Sequence, residues 1–189
     1  MKTLKYLLFI AAVFLVVGVA FVYSGVYPMG ADVHHNKLTY WLLETAREQS
    51  ITKASKNIAV PPLDDSDLLL VGGPDYNDMC VVCHLKPGKT QSDMSIGLYP
   101  APPNLSTRED EHGHDHADDG HGDPEQSSRR QFWIIKHGIK ASGMPAWGPT
   151  HDDQRIWAMV AFLQKLPELT PDQYQILTAR DESNASPHH

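Results

Sequence analysis

The sequence predicts an all-α protein. Apolar residues recur at intervals of three and four along several segments, which is the spacing of one face of an α-helix. Residues that commonly begin helices, and glycines and prolines that end them, bracket these segments, and no run alternates in the manner of a β-strand. A length of 189 residues suits one domain with additional segments, and a formal net charge of -7 argues against nucleic-acid binding.

The first predicted helix is a membrane anchor. Lys2 and Lys5 precede an uninterrupted apolar run from Tyr6 to Tyr23. As a helix this run would reach about 27 Å, close to the roughly 30 Å hydrocarbon core of a bilayer. A cleaved signal peptide is the alternative, but its apolar region normally has only about 7–15 residues. We therefore expect residues 1–30 to form an uncleaved single-pass anchor, with the lysines in the cytoplasm and the rest of the chain outside it.

The segment 31–62 contains a predicted amphipathic helix and a linker. Four residues recur at the spacing of one helical face: Leu38, Trp41, Leu42 and Thr45. The helix should run from Asn36 to about Lys56, because neither glycine nor proline occurs in it before Pro61. Its apolar stripe would either pack on the domain that follows or dock onto a membrane partner.

Residues 63–180 form the predicted main domain, which begins with a helix and a long loop. The acidic and serine residues at 64–66 can cap a helix that runs towards residue 80, and Pro74 should kink or break that helix. The stretch 85–106 is rich in Pro, Gly and Ser and is predicted to be a loop. An acidic, histidine-rich insert at about 107–126 is predicted to be disordered.

Three further helices are predicted after the insert. Their boundary residues are Ser127 or Ser128 and Gly138 for the first, Thr150 with Asp153 and then Pro167 for the second, and Thr170 for the start of the third. Residues 181–189 should form a flexible tail.

The only two cysteines lie in the stretch Cys80-Val81-Val82-Cys83-His84. A zinc site needs four ligands, and adjacent Cys83 and His84 cannot easily converge on one tetrahedral ion. A thioredoxin-like redox pair needs a βαβ context, which the sequence does not predict. Covalent haem needs two thiols that reach two vinyl groups and an imidazole that meets the iron. The motif therefore predicts one haem c attached to Cys80 and Cys83, with His84 as an axial iron ligand.

The second axial ligand is expected to be Met144. Gly143 and Pro145 place it in a loop that can approach a flat ring closely, and a thioether is a suitable soft ligand for iron. Met94, in the earlier loop, is the alternative methionine. Weaker candidates are Met79 and Met159, and, for a bis-histidine haem, His137 and His151.

Four segments of the sequence resemble class I cytochromes c, over about residues 64–167. They are Gly72-x-x-x-Tyr76-x-x-x-Cys80-x-x-Cys83-His84, Pro103-Asn104-Leu105, Gly143-Met144-Pro145 and the run Ile156 to Leu166. The resemblance implies the class I cytochrome c fold, in which the last of these helices crosses the first. It also implies that the Pro103 carbonyl accepts a hydrogen bond from His84. The chain is similar, more narrowly, to membrane-anchored monohaem cytochromes of proteobacteria, which implies the inner membrane with the haem domain on the periplasmic side.

These features predict an electron carrier rather than an enzyme. Iron held by both His84 and Met144 has no vacant position for a substrate, and methionine opposite histidine raises the reduction potential. We expect a membrane-tethered periplasmic cytochrome that carries single electrons between redox partners such as a respiratory reductase, a dehydrogenase or a terminal oxidase. The alternatives are an electron-transfer subunit of a membrane dehydrogenase or oxidase, a small peroxidase, and a metal-handling or redox-sensing periplasmic cytochrome.

The insert carries four histidines among aspartates: His112, His114, His116 and His121. Imidazole suits zinc, copper and nickel, and mixed tracts of this kind can bind divalent ions weakly. Ordering a mobile loop around one ion is entropically costly. A solvated loop without a specific ion is therefore the competing interpretation.

Overall fold

The computed structural model describes residues 2–107 and 123–180. Every regular element in those two ranges is helical, which confirms the predicted all-α class. The chain divides into two compact units, residues 1–34 and 35–189. The first unit holds α1, Lys2–Ser24, which is long and apolar enough to be a candidate membrane span. The predicted metal-binding histidines of the insert lie outside the described residues.

The second unit contains seven α-helices among its described residues. They are α2 (Lys37–Ser55), α3 (Ser66–Met79), α4 (Val81–His84), α5 (Asp93–Gly97), α6 (Pro124–His137), α7 (Asp153–Lys165) and α8 (Pro171–Leu177). A 3₁₀ turn, Leu166–Glu168, joins α7 to α8. Three predicted starts are confirmed by their side-chain caps: Asn36 for α2, Asp65 for α3 and Thr170 for α8.

The core of this unit forms where α3 crosses α7. Gly72 and Gly73 of α3 are buried, and they let the two backbones approach closely. One core cluster joins α3, α7 and α8 through Tyr76, Phe162, Leu166 and Tyr174. A second joins α6 and α7 through Phe132, Ile135, Ile156, Trp157, Met159 and Val160. Burying one large apolar side chain contributes roughly 1.5–3 kcal/mol, so these clusters hold the helices that carry the candidate site.

Pro74 does not break α3, so of the predicted kink or break, the break is wrong. The helix continues from Ser66 to Met79 with Pro74 inside it. Proline removes one intrahelical hydrogen bond. The residues from Gly72 to Tyr76 are all buried against α7 and α8, and this packing stabilises the helical conformation through the proline.

Three local predictions differ from the structure. The stretch predicted as loop contains α5, which is held by a capping box between Ser92 and Ser95. Helix α6 starts at Pro124 with Asp123 as its cap, rather than at the serines that follow, because proline is well suited to a first helical position. The last residues of the predicted insert are therefore helical. Helix α7 is capped by Asp152, whose side chain accepts from the Arg155 amide at 2.8 Å.

Helix α2 packs on α6, but not through its predicted apolar stripe. Ile51 is buried, Arg130 of α6 forms an ion pair with Glu48, and Arg130 also donates to the Thr52 hydroxyl at 2.8 Å. The predicted stripe instead remains at the surface, since Trp41 is 60% exposed. Helix α2 therefore packs on α6 through Ile51 and through the polar side chains of Glu48 and Thr52.

Candidate haem site

Cys80, Cys83 and His84 lie on one helical turn. Cys80 ends α3 and caps α4, and its carbonyl accepts from the amides of Cys83 at 3.1 Å and His84 at 2.9 Å. Both cysteines are free thiols. The crossing of α3 with α7 fixes the direction from which this turn leaves the core, so all three side chains are placed by the packing of α3.

The ionisation of these groups is governed by burial. Burial, together with the negative charge of Asp75, raises the pKa of the Cys80 thiol to about 12, and burial raises the pKa of Cys83 as well. Burial lowers the pKa of His84, although its hydrogen bond to Pro103 acts in the opposite direction. The imidazole is therefore neutral at neutral pH, which is the form that binds a metal.

A single hydrogen bond orients the His84 ring. Its Nδ1 lies 2.9 Å from the Pro103 carbonyl oxygen. A carbonyl can only accept, so Nδ1 must carry the proton and Nε2 must hold its lone pair free. Such a contact fixes both the tautomer and the direction of a ligating histidine. The hydrogen bond that the sequence resemblance implied is thus present.

Backbone contacts hold the Pro103 segment beside the haem motif. The Leu105 amide donates to the His84 carbonyl at 3.1 Å. The Asn104 side chain accepts from the amide and the hydroxyl of Ser106, at 3.0 and 2.7 Å. These bonds hold the segment that presents the Pro103 carbonyl to the His84 ring.

The loop that carries Met144, here called the methionine loop, folds back on the end of α6. Gly138 ends that helix with φ +65°, and a Cβ there would stand 2.6–2.7 Å from backbone atoms of residues 144–146. The Ile139 amide donates to the Met144 carbonyl at 3.1 Å, and the Met144 amide donates to the Ser142 hydroxyl at 3.1 Å. Met144 is half-buried and packs against the α6–α7 core cluster.

The comparison with known families matches this site. The family described as cytochrome c oxidase, cbb3-type, subunit III has a sequence profile that matches residues 70–163. Residues 70–163 form a c-type cytochrome domain. No curated protein and no solved structure shows significant similarity to the chain.

The donor set of the cytochrome fits a haem. Two free thiols precede a neutral imidazole that is already oriented through Nδ1. Across residues 2–107 and 123–180, no group of three or more His, Cys, Asp and Glu side chains is arranged to hold a metal ion. The structure therefore gives no support to the zinc alternative, whereas an axial haem ligand needs only the one imidazole.

The other candidate ligands of the cytochrome occupy different surroundings. Met159 is buried in the α6–α7 core cluster, and Met79 packs at its edge. Met94 is exposed on α5. His137 lies at the exposed end of α6 beside the ring of Trp133, while His151 is buried with its Nδ1 2.9 Å from the Thr150 hydroxyl.

Sequence reasoning missed one contributor to the site, the hydroxyl of Tyr76. It donates to the carbonyl of Leu85 at 2.7 Å and lies 3.2 Å from that of His84. Burial raises the pKa of Tyr76, so the phenol remains protonated and able to donate. Leu85 has a positive φ of 67°, which turns the chain out of α4 and brings its carbonyl to the phenol. The family pattern identified the ring but not the bond.

Proposed function

We propose that the protein is a membrane-tethered monohaem cytochrome that carries single electrons on the periplasmic side of the bacterial inner membrane. Residues 1–30 would anchor it and residues 63–180 would form the haem domain. The observation that carries the proposal is the contact of His84 Nδ1 with the Pro103 carbonyl at 2.9 Å. This contact holds the neutral imidazole of His84 in the tautomer and orientation that suit a metal ligand. The same helical turn carries the two free thiols.

Each residue of the proposed site has a separate task. Cys80 and Cys83 would attach the haem through thioether bonds, and His84 and Met144 would bind the iron from opposite sides. The bound haem supplies one-electron chemistry at the iron. The Pro103 carbonyl keeps the proton of His84 on Nδ1, and the loop bonds of Ser142 and Ile139 hold the Met144 backbone.

Filled axial positions favour electron transfer over catalysis. With histidine and methionine both bound, neither a substrate nor oxygen has a place at the iron. Methionine ligation and the apolar α6–α7 cluster near Met144 favour the less charged, ferrous state, which raises the potential. The proposal is therefore an electron carrier of positive potential rather than a peroxidase.

The charge of the chain suggests the kind of redox partner. Without the anchor lysines Lys2 and Lys5, the sequence has 14 basic and 23 acidic residues. Complementary charges accelerate the encounter of electron-transfer proteins. A partner with a basic docking surface, such as a respiratory reductase, a dehydrogenase or a terminal oxidase, would be favoured.

The second candidate function is a subunit of an oxidase complex. The matched family is described as subunit III of a cbb3-type cytochrome c oxidase. In that role the same haem would pass electrons within a stable assembly. Co-purification of other oxidase subunits with the full chain from mild detergent would favour this candidate, and recovery of the chain alone would favour the free carrier.

The ligand set is tested by removing the proposed sulfur. Met144→Ala should abolish the sulfur-to-iron charge-transfer band of the ferric protein and lower the midpoint potential on the order of 0.1 V, within the roughly 0.8 V range that axial ligands span. Carbon monoxide should then bind the reduced form. Met94→Ala is the matched control, since Met94 is exposed on α5, and it should leave spectrum and potential unchanged. The reverse pattern would assign Met94 as the ligand and overturn the assignment of Met144.

A further inference from the structure

The first half of α2 presents an apolar surface to solvent. Leu38, Trp41 and Leu42, here called the α2 patch, are 65%, 60% and 53% exposed. Their spacing of three and four residues places them on one face of the helix. They are contiguous along a single helix, and this distinguishes them from apolar residues scattered singly over a surface, which need no explanation.

The packing of α2 within its unit does not use the α2 patch. The helix is held through its second half, where Ile51 is 2% exposed and Ser55 is buried. Glu48 is paired with Arg130 of α6, and the Arg129 guanidinium donates to the Lys56 carbonyl at 3.3 Å. The patch is thus displayed on a helix whose position is already fixed by other contacts.

The charge of α2 is opposite to that of the whole chain. From Lys37 to Lys56 there are four basic and two acidic residues, against a formal net charge of -7 for the protein. Both acidic residues, Glu44 and Glu48, are ion-paired with arginines. The lysines of the segment, Lys37, Lys53 and Lys56, are exposed. Lys37 lies next to the α2 patch, and Lys53 and Lys56 lie at the other end of the helix. A helix with exposed tryptophan and leucine in its first half and exposed lysines at both ends suits an anionic lipid interface.

The connection to α1 limits where α2 can be. Twelve residues separate Ser24, the end of α1, from Lys37, the start of α2. Fully extended, such a segment spans at most about 40 Å. If α1 crosses the membrane, the start of α2 is therefore tethered within about 40 Å of the point where α1 leaves the bilayer, which is close enough for α2 to reach the headgroups. Tryptophan is enriched at that depth because its ring is apolar and its N–H is polar.

We propose that α2 is an interfacial helix whose patch of Leu38, Trp41 and Leu42 inserts into the anionic lipid surface of the bilayer that α1 spans. This site is distinct from the haem site, and it rests on α1 being a membrane anchor. Since α2 is ion-paired to α6, and α6 ends at Gly138 where the methionine loop starts, its docking would restrict how the cytochrome domain turns on the membrane. The tether would then present one face of the domain to partners.

Photochemical labelling of the full-length holoprotein tests the proposal. Leu42 is replaced by p-benzoylphenylalanine, and the protein is reconstituted in vesicles of phosphatidylethanolamine and phosphatidylglycerol. Ser50 carries the same probe in the control, because it is exposed on the same helix but lies off the patch. Both variants keep α1, so both stay in the membrane, and an unchanged haem spectrum shows that each has folded. Lipid adducts are expected on the peptide that contains residue 42 when the probe is at position 42. No lipid adducts are expected when the probe is at position 50.

Four other outcomes would overturn the proposal. The absence of lipid adducts at position 42, or equal yields at 42 and 50, would show that the patch does not enter the lipid. Illumination of native membranes that yields a protein adduct at 42 would assign the patch to a protein partner, and a self-adduct would assign it to a second copy of this chain. None of these results alters the haem spectrum or the response to Met144→Ala, so failure here is distinguishable from failure of the proposed electron-carrier function.

Discussion

Gly72 lies directly against the backbone of Ala158 at the crossing of α3 and α7. A Cβ on Gly72 would stand 2.1 Å from the Ala158 carbonyl oxygen and 2.8 Å from the Met159 amide nitrogen. No side chain at position 72 fits unless the helices separate. The close crossing therefore requires glycine at position 72. The crossing in turn sets the path of α3 into the haem motif.

Substitution of this glycine should separate the two helices. Gly72→Ala is expected to lower the free energy of unfolding by about 2 kcal/mol or more, since overpacking of rigid backbone costs roughly 1–3 kcal/mol. Urea denaturation followed by far-ultraviolet circular dichroism would measure the change. Gly97→Ala is the control, because a Cβ there meets nothing within 4 Å. A loss no greater for position 72 than for position 97 would contradict the close approach.

A buried ion pair ties α3 to α7 a turn beyond the crossing. Asp75 is 2% exposed and accepts two hydrogen bonds from Arg155, at 2.5 and 2.7 Å, and one from Arg180 at 3.2 Å. Asp75→Asn should cost about 2–3 kcal/mol. This is below the roughly 3–5 kcal/mol of a fully buried pair, because the Arg155 side chain is 30% exposed.

Chemical denaturation compares this variant with an exposed pair. Lys165 and Glu168 lie 3.5 Å apart with both side chains about half exposed, so Glu168→Gln should cost less than about 1 kcal/mol. Similar losses for Asp75→Asn and Glu168→Gln would show that burial does not strengthen the Asp75 cluster.

The Tyr76 hydroxyl should stabilise the turn after the haem motif. Tyr76→Phe leaves the Leu85 carbonyl without its buried donor and is expected to lower the free energy of unfolding by about 1–2 kcal/mol. The haem should remain attached, because neither thiol is changed. Tyr174→Phe is the matched control, since its hydroxyl bonds the half-buried Asn77 side chain, which can turn to water. Thermal unfolding of both holoproteins measures the difference, and a larger loss at position 174 would be inconsistent with this role of Tyr76.

The docking of α2 on α6 should weaken in acid. Burial acts to raise the pKa of Glu48, but its hydrogen bonds with Arg130 and Arg47 outweigh burial and hold the pKa below the ordinary 4.5. The folded form thus binds a proton more weakly than the unfolded form. The stabilisation is complete above about pH 4.5 and is lost as the pH falls through the lower folded value.

Hydrogen exchange of the α2 amides, expressed as protection factors, measures this docking. Protection should fall between neutral pH and pH values below about 4.5 in the natural sequence. Glu48→Gln should show lower protection at neutral pH and a flatter dependence on pH. The same acid-dependent fall in both proteins would mean that another group controls the docking.

Much of the site was predictable because it depends on short-range patterns. The spacing of Cys80 and Cys83 and the adjacent His84 identified three candidate haem-site residues, and the structure places all three on one helical turn. The resemblance to class I cytochromes c also implied the hydrogen bond between the Pro103 carbonyl and the His84 ring. Predictions of helix starts were less accurate, since Asp123 and Asp152 cap their helices in place of the nearby serines and threonine. Several neighbouring residues can cap a helix, and packing further along the chain selects among them.

The sequence by itself determined the helical class, the haem motif and the apolar stripes, since each follows from residues within a few turns of one another. Only the tertiary structure decided which partners the charged and hydroxyl groups found. Asp75 meets Arg155 across 80 residues and Arg180 across 105, and Arg130 meets Glu48 across 82. With Glu48 paired to Arg130, the predicted apolar face of α2 lies at the surface. A helical pattern specifies a face, but the free energy of a long-range contact depends on the whole packing, so periodicity could not reveal where that face points.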